Sequence, residues 1–243
     1  MYGVDGCKAG WFYVAFESSG NARWGIVKKI ESLVHQAAEP DRIFIDVPIG
    51  LPCGHEGRVC DREARGKLGF PRRCSVFPAP ARAVLEAESY CEAKGVSQEV
   101  TGKKVSRQTF AILPKIKEVD CLLRASAKAR RIVREVHPEV CFWALAGCKP
   151  MGQSKKGKLG LDQRLEVLSQ HWGAANETYQ EILDAHPRRE LARDDILDAA
   201  VAAITALADE SSLKTLPAEP PQDDRGLPME MVYVPSEAVR LGG

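Results

Sequence analysis

The sequence is short of several features that would fix its class at once. No apolar run approaches the roughly 20 residues that a membrane-spanning helix needs, so no membrane partner is expected. The N-terminus has no basic stretch followed by an apolar one, so the expected location is the cytoplasm, with reduced thiols. The eight cysteines include no C-x-x-C pair, which removes the simplest redox and zinc-ribbon motifs. Cys53, His55, Cys60 and Cys74 lie close together along the chain, but their spacing matches no standard zinc knuckle. There is no internal repeat and no long linker. Neither sign of charge dominates: 34 basic and 33 acidic residues leave a net charge of +1.

That near-zero balance hides an asymmetry. From Arg58 to Arg164 there are 23 basic and 11 acidic residues, whereas the flanks hold 11 basic and 22 acidic ones. A basic middle on a neutral chain points to a polyanionic partner, or to a well-solvated surface. The 44% hydrophobic fraction allows a core of ordinary size.

Tyr2-Gly3-Val4 is a short apolar run ending on Asp5. Gly6–Gly10 then gives a small-residue turn carrying Lys8, and Trp11–Phe16 is a second, aromatic and β-branched run bounded by Ser18-Ser19-Gly20. Two such runs around a glycine-flanked turn predict a hairpin. Arg23–Lys28 predicts a third antiparallel strand and Ile30–Ala38 a short helix. Arg42–Gly50 predicts a buried strand parallel to the first, and it too runs into an acid, Asp46. Residues 51–130 are basic and mainly helical in pattern, too long for a plain loop, and expected to carry their own packing. Arg131–His137 is the next strand signal and Val140–Ala146 a short helix or turn. Lys149–Gly160 is a lysine-rich loop, Leu161–His171 and Tyr179–Ala185 are helices, and Asp194–Ala208 is the last helix. Met231–Val234 is expected to form an edge strand.

Asp5 either caps its own turn or belongs to a set of acids. Asp46 ends a strand in the same way. Asp195 and Asp198 are three residues apart, and Asp194 and Asp198 four apart, so each pair shares a helix face. Acids in a first turn complement the helix dipole, and Asp194 is the expected N-cap. That does not explain Asp198, which stands a turn further in among apolar residues. If it faces the sheet it needs a cation, and clustered carboxylates suit hard ions such as Mg²⁺ or Mn²⁺.

The order of elements resembles the ribonuclease H-like superfamily. Five stretches narrow this: Gly3–Trp11, Ile45–Pro52, Ser75–Arg82, Glu135–Glu139 and Asp194–Ala199. They resemble the signatures of a family of predicted RNase H-like nucleases, domain of unknown function 429, from Met1 to about Ala208. The resemblance implies an α/β fold: a ribonuclease H-like mixed sheet flanked by helices, one domain over residues 1–243, with a mainly helical insertion at about 51–130. It implies Asp5, Asp46, Asp195 and Asp198 as metal ligands and catalytic acids. Glu139 is a further ligand, a base, or the partner of an arginine of the insertion. His137 is a proton shuttle or a histidine satisfied at the strand edge. Lys8, Arg82, Lys155 and Lys156 are candidate phosphate contacts. The implied activity is a Mg²⁺- or Mn²⁺-dependent nuclease acting on DNA or RNA. The alternatives are a non-catalytic nucleic-acid-binding or scaffold protein that keeps the fold, and a phosphotransferase of the actin and sugar-kinase type.

Overall fold

Strand periodicity sets the layers. In the computed structural model, which describes residues 1–17 and 21–239, Tyr2–Cys7 (β1), Gly10–Phe16 (β2) and Ala22–Val27 (β3) form an antiparallel meander. The expected Ser18–Gly20 boundary lies outside the described residues. Glu31–Gln36 (α1) leads to Ile43–Ile45 (β4), which pairs in parallel with β1. Val133–Glu135 (β5) pairs in parallel with β4. The resulting five-stranded mixed sheet has the order β3-β2-β1-β4-β5 and is flanked by helices, consistent with a ribonuclease H-like fold. β4 is shorter than the Arg42–Gly50 run, because Pro48 and Gly50 cannot continue the ladder.

Between β4 and β5 lie Val59–Leu68 (α2), two 3₁₀ turns at Arg72–Ser75 and Arg82–Glu86, Tyr90–Thr101 (α3), Arg107–Ala125 (α4) and Ala127–Ile132 (α5). Ser89, Ser106 and Ser126 cap the last three through their side-chain oxygens. After β5 come Pro138–Leu145 (α6), opened by proline in its first turn, then Lys158–His171 (α7), Ala175–Ala185 (α8) and Arg193–Leu207 (α9). Lys214–Leu216 (β6) and Met231–Tyr233 (β7) make a separate two-stranded sheet. β7 is therefore a strand, as expected, but it pairs with β6. A single bridge from Val136 to Val232 is its link to the end of β5.

The sheet has two covered faces. Tyr2, Val4, Trp11, Ile43 and Ile45 pack with Leu33 of α1, with Leu113, Ile116 and Val119 of α4, and with Ala129 of α5. Phe12, Val14 and Phe44 pack on the other face with α6, α7, α8 and α9. So α4 and α5, from the end of the 51–130 segment, share the sheet's core as well as packing against each other. The reason is the apolar stripe on α4, which is buried at helical spacing. α2 has its own smaller cluster with Val140, Trp143 and Met231. Among the described residues, no helix is long and apolar enough to cross a membrane.

α9 lies unusually close to β1. A Cβ on Gly3 would sit 2.0 Å from the Ala203 nitrogen and 2.2 Å from the Ala199 oxygen. Glycine on the strand and alanines on the helix bring the two backbones together, which sets the height of α9 above the sheet.

Candidate functional site

Residues alternate across a strand, so Gly3 and Asp5 of β1 point to the same face as Phe44 and Asp46. The parallel register pairs Gly3 with Phe44 and Val4 with Ile45, and the Asp46 N–H donates to the Val4 carbonyl at 3.0 Å. One step further brings Asp5 beside Asp46 at the C-terminal ends of two neighbouring strands. Both carboxylates face α9. One turn into that helix Asp198, 1% exposed, points back at them. One carboxylate oxygen from each of Asp5, Asp46 and Asp198 lies within 4.8 Å of the others.

Three acids this close raise one another's pKa. Asp5 is raised well above the carboxylate range by burial and then by Asp46, Asp198 and Asp195. Asp46 is raised to about 8, by burial and then by Asp198. Asp198 is raised by burial, against the pull of Lys155. Lys155, from the loop before α7, forms an ion pair with Asp198 and lies 4.0 Å from Asp194. Its own pKa is raised: burial opposes its charge, but Asp198, Asp46 and Asp5 outweigh it. Asp198 Oδ1 is buried with no hydrogen-bond partner. A cation-sized demand thus persists after the lysine is in place, and the all-oxygen donor set suits a hard divalent ion.

The profile of a family described as protein of unknown function (DUF429) matches residues 3–222, a span that holds all three acids. The chain belongs to this family. No curated protein and no solved structure matches it.

In this family member Asp5 and Asp46 of the triad open onto a cleft of about 550 Å³, with Asp198 buried behind its lining. Asp5, Asp46, Asp194, Lys155 and Lys156 line it, and Arg72, Phe77, Ile112 and Lys115 from the segment between β4 and β5 form one wall. The basic segment therefore stands on the same side as the acids.

Asp195 does not join the triad. The N-cap of α9 is Ala192, whose N–H donates to Asp195 Oδ2 at 3.1 Å, so Asp195 closes the first turn. Burial raises it to about 6. Its charge still reaches Asp5, but as a neighbour. Asp194, the expected cap, instead lines the cleft. The cap thus falls two residues earlier than the acids suggest.

Lys8 is exposed in the hairpin turn and does not line the cleft. Besides Lys155, an amine near Asp5 comes from Lys115 of α4. It donates to the Gly10 carbonyl at 2.5 Å, lies 4.3 Å from the Trp11 ring centre, and lays its stem against Gly6, where a Cβ would meet Lys115 Cδ at 2.5 Å. Nothing local in the sequence pairs residues 6 and 115.

Arg82 is also displaced from the expected role. Its guanidinium is taken up by Asp120 at 2.9 Å, Asp223 at 2.5 Å and Asp224, away from the cleft. Three carboxylates leave it no call for a phosphate; it ties α4 to the 223–224 turn.

Glu139 is buried and pairs with Arg164 of α7, which lies outside the 51–130 segment expected to supply its partner. Its Oε2 has no partner, and it lines the cleft. His137 is half-buried on the cleft wall with its Nε2 3.4 Å from the Ser75 carbonyl. A carbonyl accepts, so Nε2 carries the proton and Nδ1, which has no partner, keeps its lone pair. Burial lowers the His137 pKa, so the ring is neutral near pH 7.

The expected sites omitted one group altogether. Arg58 is buried and grips Glu135 through two bonds of 2.6 and 2.8 Å and Asp61 at 2.6 Å. Glu135 Oε2 also accepts the Ile49 N–H at 2.6 Å, and Arg58 donates to the Ile49 carbonyl at 2.9 Å. Burial raises Glu135 to about 7 against the pull of Arg58. This network holds the backbone three residues beyond Asp46 and so fixes where that carboxylate leaves β4. Glu135 opens the Glu135–Glu139 stretch, which is the one trace of it in the sequence. Cys53, His55, Cys60 and Cys74 do not converge: among the described residues, the acid triad is the cluster with metal-ligand spacing.

Proposed function

We propose that the protein is a divalent-cation-dependent nuclease, with Asp5, Asp46 and Asp198 holding Mg²⁺ or Mn²⁺ and DNA or RNA as substrate. The observation that carries this reading is the convergence of three carboxylates within 4.8 Å, one of them with a buried, unpartnered oxygen. When bound, the ion supplies Lewis acidity and positive charge against the charge that develops on a phosphodiester.

The chain's own residues do the rest. Lys155 and Lys156 line the cleft at the acids and bind a phosphate beside them. Lys155 offsets part of the acidic charge, so a polyanion is not repelled before it is seated. His137 Nδ1 accepts a proton on the cleft wall, and the Nε2–H bond to Ser75 holds the ring in that tautomer. Arg58 and Glu135 position Asp46. Asp195 positions Asp198 by closing the first turn of α9.

The scaffold alternative keeps one observation in its favour: Lys155 is a built-in cation at the triad. The deciding experiment is thermal melting with and without millimolar Mn²⁺, together with cleavage of labelled single- and double-stranded DNA and RNA. Stabilisation by Mn²⁺ and metal-dependent cleavage, both lost in Asp198→Asn, support the nuclease. A melting temperature indifferent to Mn²⁺ makes Lys155 the resident cation and the site structural.

A further inference from the structure

Four large apolar side chains are exposed among the described residues: Phe70 at 81%, Phe77 at 39%, Ile112 at 37% and Leu159 at 69%. Singly, such residues need no explanation. Here two of the four gather at one place. Phe77 and Ile112 line the acid cleft, and Phe70 is the chain neighbour of Pro71 and Arg72, which line it too. Arginines are interleaved with the rings: the Arg73 guanidinium lies 6.0 Å from the Phe70 ring centre, and Arg72 faces the cleft.

Phe77 also lines a second hollow of about 190 Å³, next to Pro78, Pro80, Lys103 and Lys104. It is thus the divide between two depressions, each carrying cationic side chains: Arg72 and Lys156 on the acid side, Lys103 and Lys104 on the other. A paired base hides both faces inside its stack, whereas an unpaired base offers a face to an aromatic ring and its backbone bends over the ridge. Stacking on an aromatic platform with flanking cations is the physical signature of single-strand binding.

We propose that the substrate is unpaired nucleic acid: one base stacks on Phe77, with the phosphates on one side held by Arg72 and Lys156 near the acids and those on the other side by Lys103 and Lys104. This rests on the nuclease reading for the polarity of the cleft, but it makes a separate claim about binding.

The test is fluorescence polarisation in Ca²⁺ with labelled single-stranded DNA, single-stranded RNA and blunt DNA duplex, each about 12 nucleotides long, within the range of single-strand site sizes. Both single strands, or one of them if the 2′-hydroxyl is read, should bind at least about tenfold more tightly than duplex. Phe77→Ala should lose roughly tenfold on the single strand and nothing on the duplex, and Phe77→Trp should restore it, as expected for stacking. Because Phe77 is half-exposed, an unchanged melting temperature confirms that the variants fold. Lys103→Glu with Lys104→Glu should flatten the salt dependence on the single strand. Equal affinity for single strand and duplex, no binding to either, or a Phe77→Ala affinity equal to wild type overturns the inference. Cleavage in Mn²⁺ without single-strand preference leaves the nuclease reading standing and removes this one. Phe77-dependent single-strand binding without cleavage does the reverse.

Discussion

Lys155 places its amine on the Asp198 carboxylate, in the space where three acids converge, yet it leaves Asp198 Oδ1 without a partner. A lysine is a movable cation on a flexible stem. It neutralises one charge of the triad and does not saturate the donor set.

Lys155→Met should therefore separate two effects. Without the amine, a divalent ion no longer competes for Asp198, and Mn²⁺ affinity measured by calorimetry should rise roughly tenfold, in line with removal of a close charge partner. Metal-free stability should fall by about 1–3 kcal/mol, the usual range for a buried group left unpaired, with protonation of the acids limiting the loss. Cleavage should fall too, since a phosphate contact is lost. Unchanged Mn²⁺ affinity would mean that the amine and the ion do not share the site.

Asp195 and Asp198 should behave differently although they are three residues apart. Asp198→Asn should abolish the gain in melting temperature on adding Mn²⁺, because the ion then loses a ligand that binds it only in the folded state. Asp195→Ala should keep that gain while lowering stability by about 0.5–2 kcal/mol, the range for a lost helix cap. If both variants lose the Mn²⁺ response equally, Asp195 is a ligand and its bond to Ala192 is secondary.

The sequence made Asp5, Asp46 and Asp198 legible for different reasons. The first two end apolar runs, and strand periodicity places them on one face. Asp198 was legible because helix-end chemistry left it unexplained. The same chemistry misplaced the cap, since Ala192 has no side-chain acceptor and nothing local marks it. Lys115 and Arg82 could not be read, because what decides a long cationic side chain is its partner. The Arg82 partners Asp120 and Asp223 stand 38 and 141 residues away along the chain. β6 escaped because three residues, running into Pro217, carry too little pattern.

Two glycines should respond in opposite directions to alanine. Gly3→Ala drives a methyl into the backbone of α9, at 2.0 Å from Ala203, where no side chain can move aside. The cost should reach or pass the roughly 3 kcal/mol at the top of the usual overpacking range. Gly95 lies inside α3 with nothing within 4 Å of a new Cβ. Gly95→Ala should stabilise by about 0.5–1 kcal/mol through helix propensity. Urea denaturation of both variants checks the pair, and a mild effect at Gly3 would refute the close approach of α9 to β1.

The acid triad should make metal-free stability depend on pH, with a sign opposite to that of an ordinary salt-bridged carboxylate. The Asp46 carboxyl titrates at about 8 in the folded protein, raised first by burial and then by Asp198. In the unfolded chain it titrates near the usual value of about 3.9. Below about pH 4 it is protonated in both states and contributes no pH dependence. Between about pH 4 and 8 the unfolded chain releases the proton and the folded protein keeps it, so stability falls as pH rises; above about 8 the loss is complete. Asp46→Asn carries no such proton. In EDTA, its melting temperature relative to wild type should therefore climb steadily from about pH 5 to about pH 8. Saturating Mn²⁺ should erase that trend, because an ion on the triad drives the protons off and holds the ionised form. A gap between variant and wild type that stays constant across this pH range would mean that Asp46 is already ionised without metal, and that Lys155 alone balances the site.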